Sequence, residues 1–168
     1  MNGRKTGRGL IYEDISYLEG IEKLDNEPTE QLVYNGNFKD GDFFGFGVLK
    51  PVDNLSEYSG YFLKGKKHGI GLLKESKTLE ETELVAEFLE GKPHGICKIE
   101  TNSGEIYIGN LRYGIKDGLG YQSFIDGSSY FGDWKNGERT GFGITVQNGS
   151  VYKGSFMNGK PNGLGVQK

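Results

Sequence analysis

The sequence predicts an all-β fold made of successive β-hairpins, and three observations predict it. Glycine supplies 29 of 168 residues, more than twice the usual share of about 7%, while proline supplies only 4. These glycines keep fixed offsets inside one recurring pattern, YxGxWxxGxxxGxG, most complete from Tyr130 to Gly143 as YFGDWKNGERTGFG. Within Tyr130-x-Gly132-x-Trp134 the period is two, which puts the three residues on one face of a strand; KNGERT then supplies turn residues, and GFGIT opens a return strand.

The chain begins inside the pattern. Gly3, Gly7 and Gly9 make a GxxxGxG half unit in residues 1–12 with no aromatic strand before it. Residues 13–32 are an acidic insertion, EDISYLEGIEKLDNEPTEQ and one residue more, in which a short helix is expected to end near Pro28. Six full units then occupy 33–168. They are YNGNFKDGDFFGFG from Tyr34, YSGYFLKGKKHGIG from Tyr58, LVAEFLEGKPHGIC from Leu84, YIGNLRYGIKDGLG from Tyr107, the stretch from Tyr130, and YKGSFMNGKPNGLG from Tyr152. The third is worn, with Leu84 for Tyr, Ala86 for Gly and Cys97 for the last Gly; the fourth has Leu111 in the Trp slot. Before the third unit, ESKTLEETEL (75–84) reads as an acidic connector or a lengthened hairpin.

On each return strand the residue between the glycines is apolar: Phe46, Ile70, Ile96, Leu119, Phe142 and Leu164. Glycine weakens a strand interior, so its repetition needs a cause. Bare backbone on which an aromatic ring can lie supplies one.

Composition narrows the function. A hydrophobic fraction of 35% and net charge −3 describe a soluble folded chain, and no run reaches the roughly 18 apolar residues of a membrane span. A single cysteine excludes an internal disulfide, and MNGRKTGRG lacks the apolar core of a signal peptide, so a cytoplasmic setting is expected. The N-x-S matches at Asn54 and Asn148 then read as chance. Residues 107–168 carry net charge +3 and residues 1–106 carry −6. That acidic half argues against nucleic acid, whose binding rests on Lys and Arg contacts to phosphate.

Candidate chemistry reduces to repeat slots. Gly60 to Lys66 fits most of a GxxxxGK phosphate loop, but Lys67 stands where Ser or Thr would ligate magnesium, and the spacing recurs at Gly154 to Lys160 because the unit itself contains GxxxxG. His68 and His94 share one slot in successive units, with no Cys or His to complete a zinc set. Cys97 fills a glycine slot and has no neighbouring constellation that would make it a nucleophile. Carboxylates cluster only in the acidic connectors, as solvated surface does. No catalytic, cofactor or metal residues are assigned, and a non-enzymatic protein is expected.

The YxGxWxxGxxxGxG unit, with first positions at 34, 58, 84, 107, 130 and 152, resembles the MORN (membrane occupation and recognition nexus) repeat over nearly the whole chain. The resemblance implies an elongated, single-layer, twisted antiparallel sheet of hairpins with an aromatic-lined groove, on the order of 60 Å long. It also implies a scaffold or adaptor for protein partners in a cytoskeletal or ciliary (axonemal) assembly, with a phospholipid-binding membrane tether as the alternative. A single-layer sheet cannot cover both of its faces, so the row Tyr34, Phe38, Tyr58, Phe62, Phe88, Tyr107, Tyr130, Trp134, Tyr152 and Phe156 is the expected partner-binding groove. Unpaired sheet edges imply self-association. Lipid is the weaker expectation, because the best basic cluster, Lys64, Lys66 and Lys67, sits beside an acidic connector.

Overall fold

The computed structural model describes residues 4–14, 30–77 and 79–168. Thirteen strands form one sheet: β1 (Gly7–Asp14), β2 (Glu30–Lys39), β3 (Asp42–Leu49), β4 (Ser56–Leu63), β5 (Lys66–Lys77), β6 (Glu80–Leu89), β7 (Lys92–Thr101), β8 (Ile106–Arg112), β9 (Ile115–Ser123), β10 (Ser129–Lys135), β11 (Glu138–Gln147), β12 (Ser150–Met157) and β13 (Lys160–Gln167). Each strand pairs antiparallel with the next in sequence, so the predicted all-β array of hairpins is the observed fold.

Two residues close each repeat hairpin. At Asn136-Gly137 both have positive φ, 50° and 85°, and the same holds for Asp40-Gly41, Lys64-Gly65, Glu90-Gly91, Tyr113-Gly114 and Asn158-Gly159. Such a type I′ turn matches the right-handed twist of the strands it joins. The stretch 75–84 is a lengthened hairpin, since β5 and β6 stay paired from Gly69↔Phe88 out to Lys77↔Glu80. Both ends of the acidic insertion are strand, with Glu13 opposite Gln31 and Asp14 opposite Glu30. The helix expected before Pro28 lies outside the described residues.

Every repeat hairpin carries a bulge at one place. In the β10–β11 pair Gly132 faces Gly143, and one residue further along β10 Asp133 faces Thr140, so Gly141 and Phe142 are extra on the return strand. The equivalent shift follows Gly36, Gly60, Ala86, Gly109 and Gly154. Gly141 takes φ +56 to absorb it. Bulges sharpen twist and re-aim side chains, and this one governs what lies over the rings.

The core occupies one face. Tyr34, Tyr58 and Tyr130 are the largest fully buried side chains. Each ring lies across a pair of facing glycines, and a Cβ at Gly120 would sit 2.6 Å from the Tyr107 hydroxyl. The hydroxyls are satisfied in turn: Tyr34, Tyr58, Tyr107 and Tyr130 each donate to the carbonyl three residues on, all at 3.0 Å. A buried hydroxyl left without that bond would be costly, so ring, glycine and bulge are mutually dependent. Successive units interlock edge to face, as where Tyr130 meets its own Trp134 at 5.3 Å and Phe156 of the next unit at 5.0 Å.

Candidate functional site

The aromatic row predicted as a groove is where the sheet keeps its core. Tyr34, Phe38, Tyr58, Phe62, Phe88, Tyr107, Tyr130, Trp134 and Phe156 are all buried, and Tyr152 is half-buried. What covers them is a residue that sequence reasoning missed: the position two before the first glycine of each GxG. Lys67 places its ammonium 4.9 Å from the Tyr58 ring centre. Lys116 lies 4.6 Å from Tyr107 and 4.8 Å from Trp134. Arg139 covers Tyr130 at 5.5 Å and Phe156 at 5.9 Å. In the first full unit Phe43 stacks flat on Tyr34, with centres 3.8 Å apart and planes 10° off parallel.

The bulge is what delivers this position to the ring face, because it returns the strand to register with the Trp slot: Arg139 faces Trp134, Lys67 faces Phe62, and Pro93 and Pro161 face Phe88 and Phe156. Cations over ring faces are attracted by the quadrupole of the ring. A recurring Lys, Arg, Phe or Pro at this slot is the signal that could have found them; beside a turn it looks like ordinary polar punctuation.

Burial leaves its mark on ionisation. Desolvation lowers the pKa of Lys67 and Lys116 and pushes Tyr58 and Tyr130 up to about 12. It also raises the Cys97 thiol to about 11, so this side chain stays protonated near neutral pH and behaves as a small packing group. His94 packs against Tyr113 with ring centres 5.0 Å apart. His68 and His94 remain one repeat apart, on β5 and β7.

The opposite face is uncovered and mixes exposed apolar side chains with charged ones such as Lys98, Glu87 and Asp133. One residue per strand forms an unbroken registered row across it: Leu72 faces Val85, Val85 faces Lys98, Lys98 faces Ile108, Ile108 faces Tyr121, Tyr121 faces Phe131 and Phe131 faces Ile144. Beside it runs a second row holding the apolar residue between each pair of glycines. Val85, Ile108 and Phe131 are 46%, 48% and 47% exposed, and Ile70, Ile96 and Phe142 exceed 60%. Near one end this face deepens into a concavity of about 640 Å³ lined by Phe142, Val151, Lys153, Leu164 and Val166. Exposed apolar side chains gathered on one face in this way are the kind of surface through which proteins meet partners.

Two further features bear on partners. The outer strands of the described sheet, β1 and β13, each pair on one side. Of the basic cluster Lys64, Lys66 and Lys67, the last is occupied over Tyr58, which thins the cluster as a lipid-binding patch. Among the described residues no helix is long and apolar enough to cross a membrane.

A family model, MORN repeat, matches residues 34–50, 58–74, 85–105, 107–129, 130–150 and 152–168, more than half of the chain. The six matches coincide with the six full units, each beginning within a residue of the tyrosine or Leu84 slot. A search among curated proteins gave no significant match.

Proposed function

Because this chain belongs to the MORN repeat family, whose repeats generally bind proteins or membrane lipids, we propose that it is a non-catalytic scaffold or adaptor. It gathers protein partners in the cytoplasm, within a cytoskeletal or ciliary assembly. The observation that carries this is the uncovered face from Leu72 to Ile144. The aromatic row supports it from behind: its rings already contact glycine backbone, one another and the covering cations, which leaves the other face to meet the partner. The outer strands β1 and β13 are assigned the second contact, pairing between copies.

The setting follows from where such arrays occur, and protein is favoured over lipid because Lys67 is occupied and acidic side chains lie among the apolar ones. Affinity purification with the full chain, compared with Phe131→Asp and Ile108→Asp, tests the reading. Loss of a captured partner with strand content unchanged is the expected result; identical capture by all three would overturn it. Saturable binding to phosphoinositide vesicles at physiological salt, with no protein captured, would replace the scaffold by a membrane tether. Light scattering that finds only monomer at high protein concentration would remove the edge contact.

A further inference from the structure

Two features on different strands of the sheet complement each other. The concavity at one end of the uncovered face is lined by Phe142, Val151, Leu164 and Val166, with Lys153 and Lys168 as its only charged residues. Register places Lys153 between Ile144 and Val166, so a cation stands within an apolar row. Residues 139–168 contain no aspartate or glutamate. Neither lysine forms an ion pair among the described residues. Asp133, on the neighbouring β10, already accepts a hydrogen bond from the Phe142 backbone N–H at 3.2 Å. Leu164 is 91% exposed. This end of the face is apolar and positive.

The counterpart is the tip of the β5–β6 hairpin. β4 and β5 stop pairing at Ser56↔Glu75, and β6 and β7 stop at Thr82↔Thr101, but β5 and β6 continue to Lys77↔Glu80. The hairpin thus projects past both neighbours. At its tip Leu79 is also 91% exposed, yet its backbone is held. Asn102 Nδ2 donates to the Leu79 carbonyl at 3.2 Å, and the Asn102 backbone N–H donates to the Glu81 carbonyl at 2.9 Å. Lys74 and Lys77 are answered by Glu83 and Glu75. Glu80 and Glu81 are exposed and form no ion pair among the described residues. The tip is an anchored apolar side chain beside two carboxylates.

We propose that the concavity receives the β5–β6 hairpin tip of a second copy, with Leu79 against the apolar lining and Glu80 and Glu81 against Lys153 and Lys168. Strand order excludes an internal contact: five strand intervals, roughly 24 Å, separate β6 from β11 in the one sheet. Charge complementarity selects the hairpin, since two concavities set against each other would oppose lysines. The contact joins two different patches, so two copies either exchange tips or propagate into a chain. It is separate from pairing through β1 and β13, and neither contact needs the other.

Sedimentation velocity of the full chain over a range of concentration and salt tests the contact. The wild-type chain associates, and added salt weakens the association because the contact is in part ionic. Leu79→Asn weakens it by about tenfold. Charge reversal at the tip (Glu80→Lys with Glu81→Lys) or in the concavity (Lys153→Glu with Lys168→Glu) weakens it at least about tenfold. An equimolar mixture of the two reversed chains restores it, because each tip then meets a concavity of opposite charge. Misfolding could not produce that rescue. Association unaffected by all three changes, or a mixture no stronger than its parts, overturns the proposal and leaves pairing through β1 and β13 to explain association. A wild-type chain that stays monomeric at high concentration overturns both contacts; if it binds anionic vesicles through Lys153 instead, the concavity belongs to lipid. Partner capture compared with Phe131→Asp decides the scaffold reading independently.

Discussion

Ala86 and Cys97 face each other across β6 and β7, at the register position where the other full repeat hairpins pair two glycines. Both are 3% exposed. This hairpin is also the one whose tyrosine slot holds leucine, Leu84. Elsewhere the ring fills the space over bare backbone; here the ring is absent, and a methyl and a thiol fill that space. Three departures from the repeat are thus one coordinated repacking that conserves volume.

The coordination is testable in a cycle. Leu84→Tyr alone overpacks the site and destabilises by about 1–3 kcal/mol. Adding Ala86→Gly and Cys97→Gly restores most of the loss. Urea unfolding of the single, double and triple variants measures the coupling, and additive effects would mean that the three positions are independent.

The covering cations make a second prediction. Lys116→Ala uncovers Tyr107 and Trp134 and removes the donor that reaches Gln122 Oε1 at 2.6 Å. The expected loss is about 1–2 kcal/mol, with a red shift in the emission of Trp134, the sole tryptophan. Lys116→Met keeps the cover without the charge and loses less.

Alkaline pH acts through the same face. The folded-state pKa of Tyr58 and Tyr130 is pushed up to about 12 from the ordinary 10.0. Between those values the native state holds protons that the unfolded chain has released, so stability falls as pH rises through that window. Lys67 and Lys116 act in the opposite direction, because a lowered pKa adds stability as pH approaches 10.5 from below. The tyrosine effect dominates, and tyrosinate absorbance followed with near-ultraviolet circular dichroism should show these rings ionising together with the loss of packing.

The hairpin turns allow a gain. Glu90 and Tyr113 take positive φ, 51° and 50°, at positions where Asn136 and Asn158 stand in other repeats. Asparagine adopts this conformation more readily than glutamate or tyrosine. Glu90→Asn should stabilise by roughly 0.5–1 kcal/mol, and Tyr113→Asn by less, because it also removes the ring that packs against His94. Thermal unfolding reads the sign directly.

Repeat, hairpin and strand face were legible because the alternation Tyr-x-Gly-x-Trp and the X-Gly turns are local, and local chemistry repeated six times is hard to misread. The role of the aromatic row was not. Whether Tyr130 is presented or packed depends on Arg139, which reaches the ring only because the bulge after Gly132 brings it round, and a register shift of that kind leaves no mark in hydrophobic alternation. The open face was half visible: Ile70, Ile96 and Phe142 stood out between glycines, but their union with Val85, Ile108 and Phe131 into one surface needed the pairing of strands from different repeats. The worn third unit read as decay, since Leu84, Ala86 and Cys97 make sense only as neighbours.

Tyr130 and Phe131 are adjacent and point to opposite faces, one fully buried and the other 47% exposed. If the ring row is the core and the other face is the binding surface, Tyr130→Ala destabilises by about 3–5 kcal/mol. Phe131→Ala then costs less than about 1 kcal/mol while weakening partner capture. Urea unfolding of this pair measures the difference directly; a Phe131→Ala loss equal to that of Tyr130→Ala would contradict the assignment of the two faces.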